Sequence, residues 1–167
     1  MSYTSDSIAR MKQKATAGYK LTQQVMKSLK RQKPQQVDKF FHKQHEREFS
    51  AIDCLECANC CKSISPAMYD ADVRRMAVAL KMKVPEFIDA YLHFDADETY
   101  VFKSSPCPFL VDDNYCAIYS ARPKACREYP HTDRKRMYQI LNLTARNTKI
   151  CPAVFNMVER LKEKAGG

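Results

Sequence analysis

The stretch Cys54-Leu55-Glu56-Cys57-Ala58-Asn59-Cys60-Cys61 packs four cysteines into eight residues, and it constrains this chain more than any other feature. Four further cysteines follow singly, at Cys107, Cys116, Cys126 and Cys151. Thiolate is a soft ligand. Cysteines two residues apart let one tight turn bring two sulfurs to a point, which is how a chain grips zinc or an iron–sulfur cluster. The competing explanation for an even cysteine count is a disulfide framework, with 105 pairings open to eight cysteines. That explanation belongs to secreted chains. The opening residues Met1-Ser2-Tyr3-Thr4-Ser5-Asp6 lack the charged and apolar regions of a signal peptide. No apolar run approaches the roughly 18–20 residues needed to span a bilayer. The expected location is cytoplasmic, where thiols stay reduced and a cysteine cluster reads as metal ligands.

The spacing separates the possible metals. A structural zinc site generally pairs one C-x-x-C with a second, and here the second half is missing. Three cysteines at successive two-residue gaps, followed by a distant Cys151-Pro152, match the bacterial ferredoxin arrangement, in which Cys54, Cys57, Cys60 and Cys151 would share a cluster. Consecutive side chains diverge, by about 100° in a helix. Cys60 and Cys61 are therefore expected to serve neighbouring sites or different atoms of a polynuclear centre. The alternative for Cys61 is a buried, inert thiol.

Charge and periodicity organise the rest. Of a formal net charge of +9, residues 1–50 hold +7, with eleven Lys and Arg against four Asp and Glu and no cysteine. Ile8, Met11, Ala15, Leu21, Val25 and Leu29 fall at helical spacing, with Gly18 as a weak point and Pro34 as the stop. A second helical stretch is expected to bury Phe41, His45, Phe49 and Ile52. The segment reads as an amphipathic helical arm with solvated charges, or as a contact for nucleic acid, an acidic protein or a membrane surface. Two four-thiolate sites would each carry about −2, so part of the cation excess also balances bound metal. His42 and His45 sit three residues apart, but eight cysteines fill two tetrahedral sites without them.

Helices are expected near 70–80 and from Val84, and again after Cys151-Pro152. Asp95-Ala96-Asp97-Glu98 reads as a solvated acidic loop. Residues 109–119 read as a short hairpin around Asp112-Asp113-Asn114. No G-x-S-x-G, H-E-x-x-H, Walker or Rossmann pattern is present, and three glycines in the chain argue against a phosphate cradle.

The cysteine region resembles the YkgJ-like, or CxxCxxCC, cysteine-cluster family over roughly residues 54–152. The matching motifs are Cys54-x-x-Cys57-x-x-Cys60-Cys61, Pro106-Cys107-Pro108-Phe109-Leu110, Cys116-Ala117-Ile118-Tyr119-Ser120-Ala121-Arg122-Pro123, Cys126-Arg127-Glu128-Tyr129-Pro130 and Cys151-Pro152. The resemblance implies a zinc- or iron-chelating domain in which all eight cysteines are ligand positions. It also carries Arg122 and Arg127, either as structural hydrogen-bond donors or as groups that bind the cofactor's sulfurs or an anion. It names no reaction. Flagellin lysine N-methylases share a similar cluster, which leaves methyl transfer a minor reading.

The expected architecture is mainly α, of α+β type: a small irregular helical domain at 51–167 with a short β-hairpin, built around the cysteine-ligated centre, plus the basic helical arm at 1–50. An iron–sulfur centre is favoured over zinc, with a redox or protein-modifying role. The alternative is a zinc-stabilised binding module whose arm engages nucleic acid or a protein partner. Catalysis and oligomeric state stay open.

Overall fold

The structure, a computed structural model, describes residues 3–166. It is 62% helical, with a two-stranded antiparallel hairpin, as the mainly α reading expects. Two compact units divide the chain: Met1–Cys57 with Pro130–Gly167, and Ala58–Tyr129. The first unit begins with α1 (Ser5–Ala17), α2 (Tyr19–Leu29), α3 (Pro34–Phe49) and the single turn α4 (Cys54–Cys57). The second holds α5 (Asn59–Ser63), α6 (Asp70–Ala79), α7 (Val84–Tyr91), β1 (Leu92–Phe94), β2 (Tyr100–Phe102) and α8 (Lys124–Glu128). The chain then supplies α9 (Leu141–Asn147) and α10 (Pro152–Gly166) to the first unit. Among the described residues no helix is long and apolar enough to cross a membrane.

In the first unit the helix boundaries follow local chemistry. The Thr4 hydroxyl accepts the Ser7 amide at 3.2 Å and caps α1. Gly18 closes α1 with its amide on the Lys14 carbonyl at 2.9 Å, and α2 starts at the next residue, so the weak point is a break between two helices. Pro34 occupies the first turn of α3, where its missing amide costs nothing. α10 packs against α2, α3 and α9, and its Val154, Met157 and Val158 are fully buried. The buried face of α3 is Val37, Phe41, Gln44 and Glu48, rotated from the expected Phe41, His45, Phe49 and Ile52, the last of which lies beyond the helix. Buried partners explain the rotation. Arg160 of α10 donates Nε to Gln44 Oε1 at 2.7 Å and pairs through Nη2 with Glu48. Asn156 Nδ2 donates to the second Glu48 oxygen at 2.8 Å. A carboxylate so satisfied can occupy a core position that hydropathy assigns to an apolar residue.

The second unit is built from shorter pieces. α6 and α7 pack together, and the hairpin pairs Leu92 with Phe102, His93 with Val101 and Phe94 with Tyr100. Asp95 Oδ1 accepts the Asp97 and Thr99 amides at 3.0 Å, so the acidic loop is the hairpin's turn. Residues 109–119 form the expected hairpin only in its shortest form, closed by the Val111 amide on the Tyr115 carbonyl and the Ala117 amide on the Phe109 carbonyl, both at 2.9 Å. Only one bridge, Leu110 to Cys116, joins them, although Asp113 and Asn114 adopt the left-handed turn conformation. The ladder stops because both flanks fold back on themselves: Leu110 N–H bonds the Cys107 carbonyl, and Tyr119 N–H bonds the Cys116 carbonyl before a 3-10 turn at 119–121. The core beneath is Met68, Val73, Met76, Phe87, Leu92, Phe102, Phe109 and Ile118, with Cys107 and Cys116 packed against it.

Candidate metal centre

None of the eight cysteines is in a disulfide, and they divide between the units. Cys54, Cys57 and Cys151 belong to the first; Cys60, Cys61, Cys107, Cys116 and Cys126 belong to the second. The sequence boundary falls inside the cluster itself. Ala58, between α4 and α5, takes a left-handed conformation with φ 44°, which breaks what would otherwise be one continuous helical run.

In the second unit five thiols come from four segments. Cys60 and Cys61 sit on α5 with their Sγ atoms 3.9 Å apart. The Cys61 carbonyl accepts the Cys107 amide at 2.8 Å, which ties the Pro106-Cys107-Pro108 segment to α5. Cys116 is one partner of the short bridge, and Cys126 lies on α8, whose first turn is set by Cys126 and Arg127 amides on the Pro123 carbonyl at 3.0 and 3.1 Å. The electrostatics show that four of these sulfurs share one field. Burial pushes the Cys126 thiol up to about 12, and the neighbouring Cys61, Cys107 and Cys116 push in the same direction. Cys107 rises to about 11 through burial, reinforced by Cys61 and Cys116. Burial and then Cys61 raise Cys116 as well. Cys61 moves the other way, to about 7, because the Cys60 thiol bonds it and Lys62 and Arg122 add positive charge. One sulfur ionises readily and its ionisation holds the others neutral; a bound cation reverses that opposition.

The first unit holds a smaller set. The Asp53 carboxylate accepts the Leu55 amide at 2.8 Å and starts α4. Cys151 sits just before α10, with its amide on the Asn147 carbonyl at 2.8 Å. Burial drives Cys151 up to about 12, with Cys54 and Cys57 adding to the rise. Tyr3 shares their field: burial, then Cys57, Cys151 and Cys54, raise its phenol.

A local pattern recurs in both units. The amides of Phe109 and Leu110 favour the charged form of the Cys107 sulfur, that of Ile118 favours it at Cys116, and those of Ala153 and Val154 at Cys151. Each amide lies two or three residues beyond its cysteine. Backbone dipoles so placed favour the charged sulfur, and thiolate is the form that ligates metal. The donor set suits zinc or iron in its chemistry. Among the described residues, however, no three His, Cys, Asp or Glu side chains stand in position to hold one ion.

The two motif arginines bond backbone. Arg122 lies over the Tyr119 ring at 3.7 Å and donates to the Tyr119 carbonyl at 2.8 Å, while its charge favours ionisation of Cys61, Cys116 and Cys126. Arg127 donates to the Arg122 carbonyl at 3.2 Å. His42 and His45 bond the Arg134 carbonyl at 2.9 Å and the Thr132 hydroxyl at 2.8 Å.

Sequence reasoning missed the pair that shapes the Ala121–Lys124 turn. Asp72 Oδ1 accepts the Lys124 amide at 2.9 Å and Arg75 Nη2 at 2.5 Å, and Arg75 also donates to the Ala121 and Arg122 carbonyls. The available signal was an acid in a first helical turn with an arginine three residues on, which reads equally as an ordinary helix start. Tyr3 gave no signal at all.

A family model named CxxCxxCC, described as "putative zinc- or iron-chelating domain", matches residues 53–152. No curated protein and no solved structure matches the chain.

Proposed function

The chain belongs to the CxxCxxCC family, and from that premise we propose that it holds metal through its eight cysteines, as iron–sulfur in preference to zinc. The observation that carries this reading is the shared field of Cys61, Cys107, Cys116 and Cys126, four thiols from four segments and none of them in a disulfide. Cys60 beside Cys61 supports a polynuclear centre, because one mononuclear zinc is already satisfied by four sulfurs. Cys54, Cys57 and Cys151 form a separate group of ligands in the first unit. Cysteines outside disulfides on this scale fit a reducing, cytoplasmic setting.

Bound iron–sulfur supplies electron transfer or substrate activation, whereas bound zinc supplies a redox-silent cross-link. The chain's own residues prepare the ligands. Amides two or three residues beyond Cys107, Cys116 and Cys151 stabilise negative sulfur. Arg122 adds a fixed positive charge beside three thiols, and Arg127 holds Arg122 through its carbonyl. Both arginines thereby serve the centre from outside its ligand set, as groups around a metal commonly do. The Asp72–Arg75 pair fixes the turn that delivers Cys126.

The deciding experiment is metal and acid-labile sulfide analysis, with an absorption spectrum, on protein purified without oxygen. Iron with sulfide and a broad visible band is the expected result. Colourless protein carrying about two zinc per chain would overturn the iron–sulfur assignment and leave a zinc-stabilised binding module.

A further inference from the structure

The positive charge of the chain belongs to one unit. Met1–Cys57 with Pro130–Gly167 carries nineteen Lys and Arg against nine Asp and Glu, a formal +10; Ala58–Tyr129 carries nine against ten, a formal −1. Metal does not account for this. Three thiolates on one divalent cation cancel only about one positive charge of the first unit.

Within that unit the cations are gathered by specific contacts. Asp38 of α3 accepts the Arg136 amide at 2.9 Å and the Met137 amide at 2.7 Å. His42 Nε2 donates to the Arg134 carbonyl, and His45 Nδ1 bonds the Thr132 hydroxyl. These four bonds hold residues 132–137 against α3. Lys135 and Arg136 thereby line one shallow cleft with Lys39 and Lys43, a space of about 860 Å³. Asp38 supplies one counter-charge, with its oxygens held by the backbone amides of Arg136 and Met137. Among the described residues none of the four cations makes an ion pair, and Glu46 is the other carboxylate in the lining. Four cations against two carboxylates leave the lining a formal +2, a positive potential that attracts an external anion.

The lining also narrows the class of anion. It contains no aliphatic, Phe or Tyr side chain, so it lacks the apolar core of a protein–protein interface. It equally lacks the aromatic platform on which unpaired bases stack. Lys39 and Lys43 stand one turn apart, about 6 Å along the helix, beside the consecutive Lys135 and Arg136. A row of cations with nothing to read a base suits phosphates of a duplex, which contribute affinity without sequence information. We propose that the cleft between α3 and residues 132–137 binds the phosphate backbone of duplex nucleic acid without sequence preference. This goes beyond the metal reading and does not depend on it.

The test is fluorescence anisotropy of a short labelled DNA duplex of mixed sequence with the full chain. Four phosphate contacts predict about a 100-fold loss of affinity between about 50 and 200 mM salt. The combined change Lys39→Gln, Lys43→Gln, Lys135→Gln and Arg136→Gln abolishes most of the binding and flattens the salt dependence. Neutralising four exposed cations elsewhere in the same unit, Lys12, Lys14, Lys20 and Lys27, leaves most of both in place. Lys39→Arg with Lys43→Arg keeps the charge and retains binding. The proposal is overturned if the parent chain does not bind the duplex. It also fails if both neutralised forms weaken equally, if the cleft variant binds undiminished, or if polyglutamate of matched charge competes as well as the duplex. Circular dichroism confirms that each variant keeps its helices; if the glutamine variant does not, loss of binding by the arginine variant with intact helices overturns the proposal and its retention supports it.

Discussion

The two units reach stability by different means. The first is built on helices of 11 to 16 residues, α1, α2, α3 and α10, whose apolar faces close on one another around Phe41, Met157 and Val158. Of its three cysteines Cys54 is exposed and Cys57 half-buried, and Cys151 alone is buried. In the second the longest helix has ten residues, and the span from Lys103 to Pro123 runs through turns. That span carries Cys107 and Cys116 onto the edge of the core. Short turns bury little apolar surface per residue ordered, and on the proposed reading cross-links through metal stand in for missing core. The comparison teaches that cysteines of the same chemistry can sit in a unit whose helices already close a core and in one built largely from turns.

The largest effect that would sharpen this contrast is metal withdrawal. A structural metal contributes on the order of 10 kcal/mol in small domains. Chelation under reducing conditions is expected to remove hydrogen-exchange protection from the amides of Met76 and Phe87 in the second unit. The amides of Phe41 and Val158 in the first unit stay protected. Loss of protection in both together would break the comparison. Next in size is Phe41→Ala. Phe41 is fully buried in the first unit, and truncation costs about 3–5 kcal/mol. Urea unfolding followed in the first unit should register that loss equally with and without metal. A loss that appeared only in metal-free protein would mean that this unit too leans on its thiols.

How much of this was legible beforehand differs between the units for the same physical reason. Helix existence in the first unit was readable, because Ile8 to Leu29 and Val154 to Leu161 repeat at helical spacing and Gly18 and Pro34 mark breaks. The buried face of α3 was not. Gln44 and Glu48 are interior only because Arg160 and Asn156, more than a hundred residues away, satisfy them. In the second unit the hairpin was read at 109–119, where one antiparallel bridge closes, while the two-stranded ladder runs from 92 to 102. Leu92-His93-Phe94 directly continues α7, so the pattern gave no boundary there, and pairing with Tyr100–Phe102 across the Asp95 turn decided it. The division of the cysteines between units turns on the backbone at Ala58, where alanine carries none of the usual marks of a left-handed residue.

The smallest predicted effect concerns the turn that delivers Cys126. Burial would raise the Asp72 carboxyl, but hydrogen bonds from Arg75 and from the Lys124 and Tyr69 amides outweigh it and hold the group below the ordinary carboxylate range. The unfolded chain then binds the proton more readily than the folded one. Asp72 therefore contributes stability that is fully present above the ordinary carboxylate pKa and is lost as pH falls through the lower folded value. Asp72→Asn keeps the size of the side chain while removing the charge, at a cost of about 1–3 kcal/mol at neutral pH. Unfolding of the metal-loaded second unit should show this gap at pH 7 and its closure under acid, measured as a difference between parent and variant so that cysteine protonation largely cancels. A gap that stayed constant into acid would mean that the carboxylate's charge is not what holds the Ala121–Lys124 turn. The turn would then rest on Arg75 alone, whose bonds to the Ala121 and Arg122 carbonyls need no ionised partner.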